Sequence, residues 1–394
     1  MSAIHLRGHV FYIGVQDPAQ RTFQIIRQTP YGTSYNAFLV TGACNVLVGA
    51  VPDRHFAAYL ENIQSVIALE KLDYLILNHV SPDQAGCVRR LMRLCPDLRV
   101  IATATARRLA EGLLNEQLNW ITVRDGDRME LENQDIMFIM APMLPWADTM
   151  FTWFSREKTL FTGRFLGCHF AAPMPLDTAL QYKSVYREEV ARYFADAFGS
   201  FRSYVLGGLD RMPLDAELVC PAHGPCLTET IASMKEQYKM WAARPLKTHR
   251  TAAVLYCSDY GATELLANTM ADALRGRGLA VTLTDVTKVP DGVPESLINS
   301  ADLVLLGAPT IRQDAPRPVW EVLASVDALN TKVRAAAAFG SYGWSGEAPG
   351  MMHRRLRELG FRTPEMPFRA VLMPTKLDLA GAEAYAVEAA SLLR

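Results

Sequence analysis

The chain has 394 residues, half of them hydrophobic and 21% charged. At about 100–200 residues per domain this predicts two or three domains with sizeable cores, and it excludes global disorder. Lys+Arg number 40 against 41 Asp+Glu, a net charge of −1, so a strongly basic nucleic-acid binder is excluded as the default. No apolar run approaches about 18 residues, so no membrane span is expected. The opening stretch MSAIHLRGHVFYIG lacks a charged head followed by a long apolar run, so no signal peptide is expected. The seven cysteines are odd in number, scattered, and never spaced C-x-x-C. That pattern points to a reducing cytoplasm and away from a rubredoxin-like module or a ribbon-type zinc site.

In chain order, the runs HVFYIGV, TFQIIRQ, NAFLVTG and NVLVGAV predict early strands, followed by an amphipathic stretch, HFAAYLENIQSVIALE. The apolar strand YLILNHV runs into a loop at His79. Further strands are predicted at LRVIAT, DIMFIMAP, TMFTWFS and TLFTG, then helices, then a last strand ELVCPAHG. Two groups of strands with flanking helices predict an αββα sandwich over 1–242. A polar linker spans 243–250. Over 251–394 the pattern becomes regular β/α alternation, with strands TAAVLYC, AVTLTDV, DLVLLGAP, AAAAFG and FRAVLM. This predicts a doubly wound, five-stranded parallel sheet.

The first strand of the second half ends in Ser258-Asp259-Tyr260-Gly261-Ala262-Thr263 and a helix starts at once. A strand, a loop of small and hydroxyl residues and a helix N-terminus make an anion site, because free backbone amides and the helix dipole point into it. Ser258 and Thr263 carry hydroxyls for phosphate oxygens, and Gly261 permits close backbone approach. With no lysine in the loop it is not a triphosphate loop and suits a monophosphate. Two more loops lie at strand carboxyl ends, where open α/β sheets bind ligands: Gly307–Arg312 and Phe339–Glu347. The second offers aromatic faces for a flat ring.

S-D-Y-G-A-T, then G-A-P-T, then F-G-S-Y-G-W-S-G-E resembles the flavodoxin-like domain of the flavodiiron (A-type flavoprotein) family. The resemblance implies FMN. Its phosphate would sit on Ser258, Asp259, Tyr260, Gly261, Ala262 and Thr263. Its isoalloxazine would lie between Pro309, Thr310, Ile311 and Arg312 on one side and Ser341, Tyr342, Gly343, Trp344, Gly346 and Glu347 on the other. The family's N-terminal domain is metallo-β-lactamase-like, and Gly32-Thr33-Ser34-Tyr35-Asn36 resembles its early G-T-S-Y-N segment.

The family's diiron ligands come from H-x-E-x-D-H-x-G, a His before W-P-D, a strand-end Asp and a final P-x-H-G. Here the first motif reads His79-Val80-Ser81-Pro82-Asp83-Gln84-Ala85-Gly86. Ser81 stands for the Glu, Gln84 for the second His, Pro145 for the third and Arg164 for the bridging Asp. His79, Asp83 and His223 remain. One carboxylate and one new cation leave that lining near zero charge, which is electrostatically poor for two ferrous ions. The expectation is an Arg164–Asp83 pair in place of the metals, since a buried charge needs a partner. Two alternatives, a thiolate site around Cys220, His223 and Cys226 and a second pair at Cys168 and His169, stand against the reading of these cysteines as buried core.

The resemblance therefore implies an FMN-binding electron-transfer flavoprotein without its diiron centre and with no confidently assigned catalytic residue. It implies a separate electron donor of rubredoxin or flavin-reductase type and a head-to-tail homodimer, or a heterodimer with an intact paralogue. A redox-responsive regulatory module and an O₂ or NO reductase with a remodelled metal site are the other readings.

Overall fold

The computed structural model describes residues 2–132, 134–243, 249–331 and 334–393. Contacts divide the chain into Met1–Arg244 and Pro245–Arg394. Of the expected linker at 243–250, residues 244–248 lie outside the described residues.

The first unit is built on two sheets. Seven strands run in the order Ile4–Arg7, Val10–Tyr12, Phe38–Val40, Asn45–Val48, Leu72–Ile76, Arg99–Thr103 and Trp120–Val123. Pairing is antiparallel through the first four and parallel thereafter. Five strands form the second sheet: Arg128–Leu131, Gln134–Met140, Met150–Phe154, Thr159–Gly163 and Leu218–Pro221.

The side-chain period of two explains the layering. Val46, Val48, Tyr74, Ile76 and Ile101 of the larger sheet meet Ile136, Phe138, Met150, Phe154 and Phe161 of the smaller one in a single core. The intervening residues Leu39, Leu47, Leu75 and Val100 point the other way, onto helices Phe56–Gln64 and Val88–Leu94. On the smaller sheet Phe151, Trp153, Leu160 and Val219 do the same toward helices Lys183–Phe198, Arg202–Asp210 and Ile231–Ala242. Central strands buried on both faces read as unbroken apolar runs, and the result is the αββα sandwich.

The run TFQIIRQ is not one strand. It splits into Thr22–Phe23 and Arg27–Gln28, which pair as a hairpin. Gln24 and Ile25 carry φ of 50° and 71°, and two successive left-handed residues reverse the chain. Ile25 and Ile26 are left 90% and 80% exposed. Edge strands Trp120–Val123 and Arg128–Leu131 were not expected, because half-exposed edges carry a weak apolar signal.

In the second unit five parallel strands, β1 (Thr251–Tyr256), β2 (Ala280–Asp285), β3 (Leu303–Gly307), β4 (Ala335–Tyr342) and β5 (Phe368–Val371), are ordered β2-β1-β3-β4-β5. Helices Ala262–Gly276 and Lys376–Ser391 cover one face. Val293–Ser300, Arg317–Ala324 and Glu347–Glu358 cover the other. The order turns between β1 and β3, so their loops open a crevice at the carboxyl edge.

Two glycines set how tightly that edge closes. A Cβ at Gly307 would stand 2.2 Å from the Phe339 ring, and one at Gly340 would stand 2.0 Å from the Ala308 carbonyl oxygen. Backbone cannot rotate away as a side chain can. Gly340→Ala is therefore expected to destabilise the protein by about 1–3 kcal/mol. Gly276→Ala, where a Cβ meets nothing within 4 Å, is expected to be neutral or stabilising by up to about 1 kcal/mol. Denaturant midpoints of the two variants check the contrast.

Candidate functional site

The crevice of the second unit is a cleft of about 340 Å³. It is lined by Ser258, Asp259, Tyr260, Ala262 and Thr263 after β1, by Pro309, Thr310 and Ile311 after β3, and by Ser341, Tyr342 and Gly343 after β4. Hydrogen bonds tie the three loops together. The Thr310 amide donates to Ser341 O (3.0 Å), Thr263 Oγ1 and Ser341 Oγ share a proton at 2.8 Å, and the Ala348 amide donates to Thr310 Oγ1 (3.2 Å).

Only one of the two hydroxyl protons is used in the Thr263–Ser341 contact, so one of the pair keeps a proton to donate. The Ser258 hydroxyl is buried with no partner. Gly261 starts helix Ala262–Gly276 at φ 85° with no side-chain cap, so the first-turn amides are left for a ligand. These observations fit a phosphate at this loop.

Gly261, Arg312, Trp344, Gly346 and Glu347 are not among the cleft walls. Arg312 sits at φ 53° in the tight Ile311–Asp314 turn. Gly346, at φ 72°, begins helix Glu347–Glu358, and Trp344 is 97% exposed. The sequence reading missed Leu372 and Met373, which complete the cleft. Leu372 adopts φ 52° and its amide donates to Tyr342 O (2.8 Å). Their signal was aliphatic residues continuing past β5 at the carboxyl edge, where ligands bind.

In the first unit His79, Asp83, Arg164 and His223 all follow strand carboxyl ends: His79 and Asp83 after Leu72–Ile76, Arg164 after Thr159–Gly163, His223 after Leu218–Pro221. Arg164, 1% exposed, donates from Nη2 to both oxygens of Asp83 (2.7 and 2.8 Å) and from Nε to His79 Nε2 (3.3 Å). Its guanidinium carbon lies 5.3 Å from the Phe23 ring centre and 5.7 Å from that of Trp146.

His223 bonds Ser34 O through Nδ1 (2.5 Å) and Asp83 Oδ2 through Nε2 (3.0 Å). Burial opposes ionisation of Asp83, yet Arg164 and the neighbouring imidazoles outweigh it and hold the carboxyl well below the usual range. Burial and the Arg164 charge push His79 down to about 3, so it is a neutral acceptor.

The substituted positions are equally occupied. The Ser81 hydroxyl is buried without a partner, and Gln84 Nε2 donates to Ala222 O (3.3 Å). Pro145 precedes Trp146, whose ring lies 6.3 Å from that of His79. One correction concerns charge: Asp148, 2% exposed, is a second buried acid near Arg164. Its Oδ2 accepts from the Val80 amide (2.7 Å), and burial raises its pKa.

Both nitrogens of His223 are engaged, whereas Cys220 and Cys226 belong to the inter-sheet core and Cys168 to the outer one. Among the described residues no three His, Cys, Asp or Glu side chains are grouped to hold a metal ion. The donor set does not fit two iron ions, because Asp83 is already bound by a guanidinium and Asp148 by the Val80 amide.

Fold and cleft together define a two-part flavoprotein, a lactamase-like unit joined to a flavodoxin-like one. Residues 33–224 match the ODP family beta lactamase model and residues 254–387 the flavodoxin model. The chain is 37% identical over 386 residues to flavo-diiron protein FprA2 of Clostridium acetobutylicum, covering 96% of both chains. It is 32% identical to type A flavoprotein fprA of Rhodobacter capsulatus, over 95% of this chain and 88% of that one. The rubredoxin oxygen:oxidoreductase structure from Desulfovibrio gigas superposes with a TM-score of 0.72 at 25% identity, covering 99% of this chain and 98% of that one. The chain belongs to the flavodiiron protein family. Among the described residues no helix is long and apolar enough to cross a membrane.

Two predictions follow from the buried cluster. Arg164→Leu strips Asp83 of its guanidinium and leaves it only His223, and is expected to cost about 3–5 kcal/mol, whereas Arg164→Leu with Asp83→Leu recovers most of that loss; urea unfolding of both variants measures the difference. His169 bonds Thr33 Oγ1 through Nδ1 (2.8 Å), and burial, His223 and Arg164 hold its pKa well below the ordinary value. The unfolded ring gains a proton below about pH 6.5 while the folded ring does not, so this residue costs stability as pH falls. Relative to His169→Phe, the wild type is expected to lose about 1.6 kcal/mol more between pH 6.5 and 5.

Proposed function

We propose that this protein is an FMN-binding electron-transfer flavoprotein whose lactamase-like unit works without a diiron centre. The observation that carries the reading is the bidentate Arg164–Asp83 pair, placed where the family motif puts a bridging carboxylate. The boundaries that go with it are 1–242 for the lactamase-like unit, 243–250 for the linker and 251–394 for the FMN unit.

In this reading Ser258 and the amides from Gly261 to Thr263 hold the FMN phosphate. Thr310, Ser341 and Tyr342 frame the ring system, with Leu372 and Met373 as its apolar edge. FMN, when bound, supplies two-electron uptake and one-electron release. The protein's part is to bind and orient it, and the cross-linked Thr263, Ser341 and Thr310 keep the loops in register.

Electrons come from a separate donor protein of rubredoxin or flavin-reductase type. The chain acts as a head-to-tail homodimer or pairs with a paralogue that retains its iron, in a reducing cytoplasm. A single iron on Asp83 and His223 is disfavoured, because Asp83 is held by Arg164 and His223 by Ser34 and Asp83.

Purified protein is expected to carry one FMN per chain and iron or zinc well below one per chain, measured by visible absorbance and elemental analysis. Reduced FMN is expected to reoxidise slowly in O₂ or NO, at a rate unchanged by chelator. Two iron ions per chain, or fast chelator-sensitive turnover, would overturn the proposal.

A further inference from the structure

A cleft of about 320 Å³ lies on the outer helical layer of the first unit, between helices Lys183–Phe198 and Ile231–Ala242. Its floor is apolar: Leu180, Tyr186, Val190 and Met234 are all buried. Trp241 forms one wall, its ring held 5.1 Å from Phe194 and 5.8 Å from Tyr238. None of these residues belongs to the Arg164 cluster.

Three polar groups on this surface lack protein partners among the described residues. Lys183 and Arg187, one helical turn apart, make no ion pair, and the phenol of Tyr186, 5% exposed, makes no hydrogen bond. Asp177 also borders the cleft and keeps its negative charge: burial opposes ionisation, but hydrogen bonds from Thr230 and Thr228 outweigh it and hold the carboxyl below the ordinary range. Two cations therefore face one anion in the lining. Asp177 Oδ1 accepts from Thr228 Oγ1 (2.7 Å), and Oδ2 accepts from the Thr228 and Thr230 amides and Thr230 Oγ1 (3.0, 2.9 and 2.6 Å).

We propose that this cleft binds an organic anion with a flat apolar body, such as an aromatic carboxylate or sulfonate. An apolar bed alone would accept any greasy ring. Two unpaired cations a turn apart select the charged one, because both can meet the same anionic head while the ring lies on Trp241 and Met234. Tyr186, also in the lining, adds an O–H that can donate. The assignment is independent of flavin and metal.

The test uses two fluorescent probes on FMN-loaded protein: 8-anilinonaphthalene-1-sulfonate and its uncharged counterpart N-phenyl-1-naphthylamine, which has the same rings without the sulfonate. The sulfonate is expected to saturate one site per chain and to bind more tightly than the neutral probe. Lys183→Ala with Arg187→Ala should weaken sulfonate binding at least tenfold and leave the neutral probe within twofold. Trp241→Ala should weaken both. Lys183 and Arg187 are exposed, so unchanged melting of the double variant shows that it folds. The proposal is overturned if the double variant binds the sulfonate within twofold of wild type, if both probes lose affinity equally, or if no saturable site exists.

Discussion

A guanidinium buried to 1% exposure has to be neutralised and hydrogen-bonded, and the lactamase-like unit is arranged around that requirement. Arg164 takes both oxygens of Asp83, and Asp83 then has a second donor in His223. His79, beside the same charge, is held neutral and turns a lone pair toward it. Phe23 and Trp146 give the cation two aromatic rings in place of water. The cluster comes from the ends of strands in both sheets, so one ion pair also binds the two layers at their shared edge.

The two units apply the same topological rule to opposite ends. Each gathers polar residues at strand carboxyl ends. In the flavodoxin-like unit those loops satisfy one another and still leave the Ser258 hydroxyl and the Gly261 helix start unspent, with an open cleft between them. In the lactamase-like unit the principal charged groups satisfy one another. What remains nearby is a cavity of about 10 Å³ beside His79 and Asn36, room for about one water. The flavodoxin-like cleft is open to a ligand-sized body, whereas the lactamase-like pocket is filled by its own ion pair and keeps the Ser81 hydroxyl and single oxygens of Asp148 and Asn36 unpartnered.

Much of this was legible in the residues. All five β/α strands of the second unit and the layered pattern of the first follow from apolar periodicity, because central strands are buried on both faces. Arg164 and Asp83 could be named from motif spacing, and the need of a buried charge for a partner pointed to their contact. What escaped has physical reasons. The hairpin at Gln24 and Ile25 uses left-handed residues that are neither Gly nor Asn, so no turn signal marked it. Leu372 and Met373 act through position past a strand end, not through a chemical signature. Asp148 was passed over because its carboxylate faces the Val80 amide, a contact set by tertiary packing. The contact of Thr263 with Ser341 is likewise a meeting of residues 78 apart.

The Arg164–Asp83 link also restricts substitution. An acid at position 164 would place a second carboxylate beside the buried Asp83 and replace an attraction by a repulsion. Restoring Glu at 81 alone would set another acid in a pocket whose guanidinium is already satisfied, and a His at 145 would find no metal to meet. Positions 83 and 164 are therefore coupled, and a change of charge at one is expected to be tolerated only with a matching change at the other.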